Sequence, residues 1–261
     1  MNLLCIDTTG PALVLALTTP GGDVHGHVLE TAGKHAEVLL PGVAALLAAH
    51  GLTARSVDAI GVTLGPGGFT SVRVGLATAK GLCVAAGRAL YGVSSLRALA
   101  YVARPTDDAG RAHMADGASS AGGAASVAVV SPAYRGEVYA ALYSFEEPSA
   151  SSRPSRGGGV IERVAPFHAG PADALDTLTR AAEGERPGAR IVVGMTHLER
   201  LGGDAVSEAA RAVWTPYARD ALSPAALAAS LLEEVHAGRI RDVATLAPEY
   251  LRPPDAALPR G

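Results

Sequence analysis

Leu3-Leu4-Cys5-Ile6-Asp7-Thr8-Thr9-Gly10-Pro11 runs into Ala12-Leu13-Val14-Leu15-Ala16-Leu17-Thr18 and, past Thr19-Pro20-Gly21-Gly22-Asp23, into Val24-His25-Gly26-His27-Val28-Leu29. Three apolar runs of strand length, at 3–6, 12–18 and 24–29, are separated by turn residues and predict an antiparallel meander. Helical spacing follows at Leu39, Val43, Leu46 and Leu47 within residues 34–50, and Gly51 supplies a stop. Pro41 is awkward inside that helix, because its ring clashes with the carbonyl four residues back; either the helix starts near Glu37 or it bends. A buried strand at 59–64, a turn at 65–68, a helix at 70–86 ended by Gly87, a strand at 90–93 and a helix through Val102 capped by Ser94-Ser95 complete the first half. Strands that return through helices must add in parallel to the meander's sheet.

The pattern restarts after a polar Gly- and Ala-rich connection at 104–125. Strands are expected at 127–131, 137–144 and 160–164, the second alternating Val138, Ala140 and Leu142 against Tyr139, Ala141 and Tyr143. Residues 148–159 read as a low-complexity loop, followed by a helix at 172–182, a strand at 190–193 and a helix at 225–236 introduced by Ser223-Pro224. The second half thus repeats the order of the first, meander then helix then strand.

The 261 residues, 48% hydrophobic and 18% charged, fit a globular chain with a sizeable core and exclude wholesale disorder. No apolar run approaches a membrane span, and the first residues meet Asp7 too soon for a secretory leader, so a cytoplasmic protein is expected. A formal charge of −3 gives no footprint for nucleic-acid binding by the chain alone. Cys5 and Cys83, both in apolar stretches, read as buried core thiols.

Two segments carry chemical interest. Asp7, Thr8 and Thr9 place a carboxylate and hydroxyls at the end of the first strand, either to hold a metal or orient a phosphate, or simply to satisfy turn amides. Gly65, Gly67 and Gly68 around Pro66 allow close backbone approach at a helix start, which suits an anion or, equally, a tight turn seating the helix on the sheet. The run is neither a Walker loop nor a dinucleotide fingerprint. The eight histidines make no His-x-x-x-His pair, and no Gly-x-Ser-x-Gly elbow occurs.

Ile6-Asp7-Thr8-Thr9, His35-Ala36-Glu37-Val38-Leu39-Leu40-Pro41, Gly65-Pro66-Gly67-Gly68-Phe69-Thr70-Ser71-Val72-Arg73-Val74-Gly75 and Gly92-Val93-Ser94-Ser95-Leu96 resemble the TsaB (YeaZ) family. That family is the partner subunit of TsaD in tRNA threonylcarbamoyladenosine formation. Arg135-Gly136-Glu137-Val138-Tyr139 and Pro248-Glu249-Tyr250-Leu251-Arg252 look like later family pieces in order. The chain departs from the pattern at Gly68 and Ser71, where the family usually carries Ser and Gly, and reads Pro132-Ala133-Tyr134 for Asp-Ala-Arg.

The resemblance implies an α/β fold of the two-lobed actin, sugar kinase and Hsp70 type (ASKHA), each lobe a mixed sheet with helices. The lobes are expected at 1–103 and 104–261, the last helix packing back on the first lobe. It implies a noncatalytic subunit: the metal histidines of TsaD align with Ser95 and Leu99, neither of which replaces an imidazole. The implied partners are a TsaD-like catalytic subunit, a TsaE-like ATPase through the complex, a second copy when the chain is alone, and tRNA only through the complex. No cofactor of its own is implied, with ATP or ADP admitted at the partner boundary. Gly75, Ala79 and Cys83 at spacing four, beside Val72 and Leu76, suggest a helix face open to close approach, with His35, Leu39, Val43 and Leu46 adding to it. Packing of these two helices within the chain is the competing reading. A small-molecule kinase or ATP hydrolase using Asp7 and the glycine turn is the alternative function.

Overall fold

The computed structural model describes residues 1–103, 126–145, 160–184, 190–217 and 221–251. The connection at 104–125, the loop at 148–159 and the end of the tail beyond Leu251 lie outside the described residues. Strands β1 (Leu3–Asp7), β2 (Ala12–Thr18) and β3 (Val24–Glu30) form the expected meander. Helix α1 (His35–Ala49) leads to β4 (Ala59–Thr63), α2 (Phe69–Ala86) leads to β5 (Ala89–Val93), and α3 (Ser95–Ala100) closes the repeat. Both β4 and β5 add in parallel, giving a sheet ordered β3-β2-β1-β4-β5.

The second repeat copies this plan. Strands β6 (Ser126–Pro132), β7 (Val138–Phe145) and β8 (Val160–Ala169) are a meander. Then α4 (Pro171–Ala181), β9 (Arg190–Val193), α5 (Met195–Val213), β10 (Thr215–Pro216) and α6 (Pro224–His236) follow. The sheet order β10-β9-β6-β7-β8 is the first order read from the other end. The sequence pattern announced neither α5 nor β10. Gly202-Gly203 explains the former: Gly203 sits at φ 70° inside α5 and breaks its regular run. Strand β8 is also longer than expected, continuing through Pro166 to Ala169 across register irregularities opposite Ala140 and Leu142.

Period-two alternation sorts the side chains into three cores. Leu4, Ile6, Leu13, Leu15 and Leu17 face outward from the first sheet onto α1 and α2. Ala128, Val130, Val138, Ala140 and Leu142 face α4 and α5 on the far side of the second. Leu3, Cys5, Val14, Ala16, Val127, Val129, Tyr139, Ala141 and Tyr143 look into the space between the sheets, which α3 and α6 fill. There α3 lies on β6 and β7, whereas α6 lies on β1, β2, β3 and β5. Each repeat's last helix therefore covers the other repeat's sheet.

Pro41 lies inside α1, which begins at His35, so neither a start at Glu37 nor placement of Pro41 in the first turn holds. Pro41 and Glu37 are both exposed, so the carbonyl that loses its partner faces water. Close contact between α6 and the first sheet depends on small residues. A Cβ on Gly26 would meet Pro224 Cβ at 2.2 Å and the Leu15 carbonyl at 2.5 Å. Replacing Gly26 by Ala should therefore lift α6 off the sheet and cost about 1–3 kcal/mol, read as a lower urea midpoint. An unchanged midpoint would mean that α6 is not seated there.

Candidate functional site

The end of β1 and the turn before α2 meet at the edge of the first lobe. Asp7 is buried, and its Oδ1 accepts from Thr63 Oγ1 at 2.6 Å, Thr9 Oγ1 at 2.6 Å and the Thr9 amide at 3.2 Å. Thr8 turns the other way and donates from Oγ1 to the Ser71 carbonyl at 2.7 Å. Gly75 makes room for it, since a Cβ there would sit 2.3 Å from Thr8 Oγ1. The Gly68 amide donates to the Thr9 carbonyl at 3.2 Å, and a Cβ on Gly67 would come within 2.6 Å of that same oxygen. The Thr9 carbonyl thus meets the glycine turn, while the Asp7 carboxylate is turned to Thr63 of β4 and Thr9 and the Thr8 hydroxyl to α2.

The turn is anchored on its other side too. Gly65 adopts φ 104°, and its carbonyl accepts from the Ser95 amide at 2.7 Å. Ser95 Oγ donates to the Pro66 carbonyl at 2.6 Å, so this hydroxyl is engaged within the chain. The tail crosses here: the Glu249 amide donates to the Leu64 carbonyl at 2.7 Å. The departures at Gly68 and Ser71 are coupled. Ser71 Oγ donates to the Gly68 carbonyl at 3.0 Å, and a Cβ on Gly68 would lie 2.6 Å from that hydroxyl, so a side chain at Gly68 would require the Ser71 hydroxyl to turn away from the carbonyl.

The proposed helix face needs correction. Leu39, Val43, Leu46, Val72, Leu76, Ala79 and Cys83 are all buried against the first sheet or between the helices, Gly75 seats Thr8, and His35 is buried beside the Thr31 hydroxyl. The stripe at spacing four is the inward face. What α1 and α2 expose is a different set: Ala36, Leu40, Ala44 and Ala48 on α1, and Arg73, Ala77, Gly81 and Val84 on α2. Leu40 is 54% and Val84 73% exposed, and a Cβ on Gly81 would meet nothing within 4 Å. Among the charges on this side, Lys34 and Glu37 neutralise one another at 3.5 Å.

Sequence reading also missed a cluster at the start of α2. Phe69 and Tyr250, both partly exposed, lie with ring centroids 5.5 Å apart, and Arg73 stacks over Phe69 at 3.6 Å while its Nε donates to Tyr250 Oη at 2.6 Å. Arg73 and Tyr250 are 177 positions apart, so only the late family piece containing Tyr250 could have signalled it. Cys5 and Cys83 are free and buried, and burial pushes the Cys83 thiol up to about 11. Among the described residues no group of three His, Cys, Asp or Glu is placed to hold a metal, and no helix is long and apolar enough to cross a membrane.

Burial raises the Asp7 carboxyl above its usual 3.8, against the hydroxyl and amide donors and His35, which pull it down. The folded chain then binds this proton to a higher pH than the unfolded chain. Its stabilising contribution is complete below 3.8 and is lost as pH rises through the folded value. Asp7→Asn keeps an acceptor oxygen and removes the titration. Urea titrations between pH 4 and 7 should show the wild type losing stability with rising pH relative to the variant; parallel curves would exclude a raised Asp7.

A family model described as TsaD, tRNA N6-adenosine threonylcarbamoyltransferase, matches residues 26–131. The tRNA threonylcarbamoyladenosine biosynthesis protein TsaB of Escherichia coli K12 is 33% identical over 147 residues, covering 56% of this chain and 57% of that protein. TsaB of Haemophilus influenzae is 38% identical over 104 residues, covering 40% and 43%. The chain spans about half the length of the curated relatives it matches. The solved YeaZ of Pseudomonas aeruginosa shares the fold, with TM-score 0.68 at 24% identity across 96% of this chain and 99% of that one.

Proposed function

We propose, from membership of the TsaB/YeaZ family that the TsaB-named relatives, the YeaZ fold and the TsaD-family match together support, that this chain is a noncatalytic docking subunit in tRNA threonylcarbamoyladenosine biosynthesis. The observation that carries the reading is the solvent side of α1 and α2. It holds small and apolar side chains over about two turns of each helix, from Leu40 to Ala48 and from Ala77 to Val84, with Lys80 as the one charge within those two spans. A surface of that kind is costly to leave in water and suits another helix pair. The occupant is a TsaD-like catalytic subunit. A TsaE-like ATPase joins through that complex, tRNA is reached only within it, ATP or ADP sits at the subunit boundary, and a second copy of the chain takes the same face when the partner is missing.

Two features support a noncatalytic role. The carboxylate of the first strand accepts hydroxyls of its own chain on Oδ1, and the resemblance aligns Ser95 and Leu99 with the metal histidines of TsaD. Substitutions on the two sides of the helices separate docking from folding. Ala44→Arg and Gly81→Arg point a charge into solvent, so both variants should keep the wild-type melting temperature yet lose co-elution with the TsaD-family protein of the same organism. Leu39→Arg or Leu76→Arg buries an unpaired charge and should cost several kcal/mol, on the order of 3–5, and unfold the chain. Undiminished co-elution of the surface variants would reject the face, and ATP turnover by the chain alone would favour a kinase or hydrolase.

A further inference from the structure

The apolar docking face ends in a charge that the fold has prepared but not neutralised. Arg73 follows Ala77, Gly81 and Val84 along the exposed side of α2 toward its first turn. Its guanidinium is fixed at three points: it stacks on Phe69 at 3.6 Å, lies 5.5 Å from the Tyr250 ring, and donates from Nε to Tyr250 Oη at 2.6 Å. No carboxylate reaches it among the described residues, in contrast to Arg97, Arg180, Arg211, Arg239 and Arg241, which all meet Asp or Glu. The two rings that hold it are themselves 42% and 44% exposed.

An arginine held in this way has already lost the side-chain freedom that usually weakens surface ion pairs, and with Nε engaged its terminal nitrogens form a fork suited to a planar anion. Position decides which anion. The fork continues a face of small apolar residues, a protein-binding composition, and the chain's charge of −3 provides no basic field for a polynucleotide.

We propose that Arg73 is the polar anchor of the docking face, receiving an Asp or Glu carboxylate of the partner protein, with Phe69 and Tyr250 as the positioning residues that hold its fork. This rests on the docking reading above and adds its specificity element: the apolar stripe supplies contact area, and the arginine fixes the direction in which the partner lies. A partner with apolar helices but no carboxylate at their end would leave the cation desolvated and unpaired, and would be rejected for that reason.

The test is titration calorimetry of the full chain with the TsaD-family protein of the same organism, beside Arg73→Lys, Tyr250→Phe and Ala44→Arg. Arg73→Lys keeps the charge but loses the fork and should weaken binding about tenfold, with Tyr250→Phe, which frees the fork, weakening it by about threefold. Both should melt with the wild type, since the cluster is exposed. Arg73→Glu should abolish binding, and one Asp or Glu→Arg substitution in an acidic scan of the partner should restore it. Wild-type affinity in Arg73→Lys while Ala44→Arg fails to bind would overturn the anchor and leave the face standing. Wild-type affinity in both would remove the face itself. Loss of tRNA binding by Arg73→Lys with partner affinity unchanged would identify a phosphate as the anion and likewise overturn the proposal.

Discussion

Everything in this molecule is arranged around the slab of side chains between the two sheets. Neither sheet can cover its own inner face, because the helix that ends each repeat has crossed to the other: α3 to the second sheet, α6 to the first. Burial of Leu96, Ala98 and Ala100 against Val127 and Val129, and of Leu227 and Leu231 against Leu3 and Cys5, therefore holds the lobes to one another. Where the helices meet, Glu233 of α6 accepts from Arg97 of α3 and from Tyr101, and the Val160 amide points at the same carboxylate from 3.4 Å. A partly buried carboxylate with that many donors fixes a register that apolar contact alone would leave free to slide.

That junction also sets the polar site. The turn at Gly65 to Gly68 is held from the first strand by Thr9, from α3 by Ser95 and from the tail by Glu249. Beside this clasp, Asp7 Oδ1 accepts the hydroxyls of Thr63 and Thr9, and the Thr8 hydroxyl donates to the Ser71 carbonyl. The start of α2 is consequently fixed, and with it Phe69 and Arg73.

Much of the fold was legible because strand alternation and turn residues report local physics. The meander of β1, β2 and β3, the parallel return of β4 and β5, and the alternation of Tyr139, Ala141 and Tyr143 against Val138, Ala140 and Leu142 needed no knowledge of contacts. Helix α5 was illegible because Gly202-Gly203 carries the signature of a turn while lying inside a helical run. Strand β10 is two residues long and has no periodicity to read. Of the site, the association of Asp7 with the glycine turn could be anticipated, whereas the Arg73–Tyr250 contact joins positions with no local relation.

The misplaced helix face has the most general cause. Helices α1 and α2 are apolar or small nearly all the way round, so spacing identifies a stripe without saying which stripe is inside. Glycine at position 75 fits close helix approach and close approach of a strand end equally well; the Thr8 hydroxyl, not a partner, turned out to occupy the space. Once the sheet claims the stripe of Leu39 and Leu76, the remaining Leu40, Ala44, Gly81 and Val84 have no internal counterpart among the described residues. A helix pair needs only one apolar side to fold, and the second apolar side is the one we propose as the docking face.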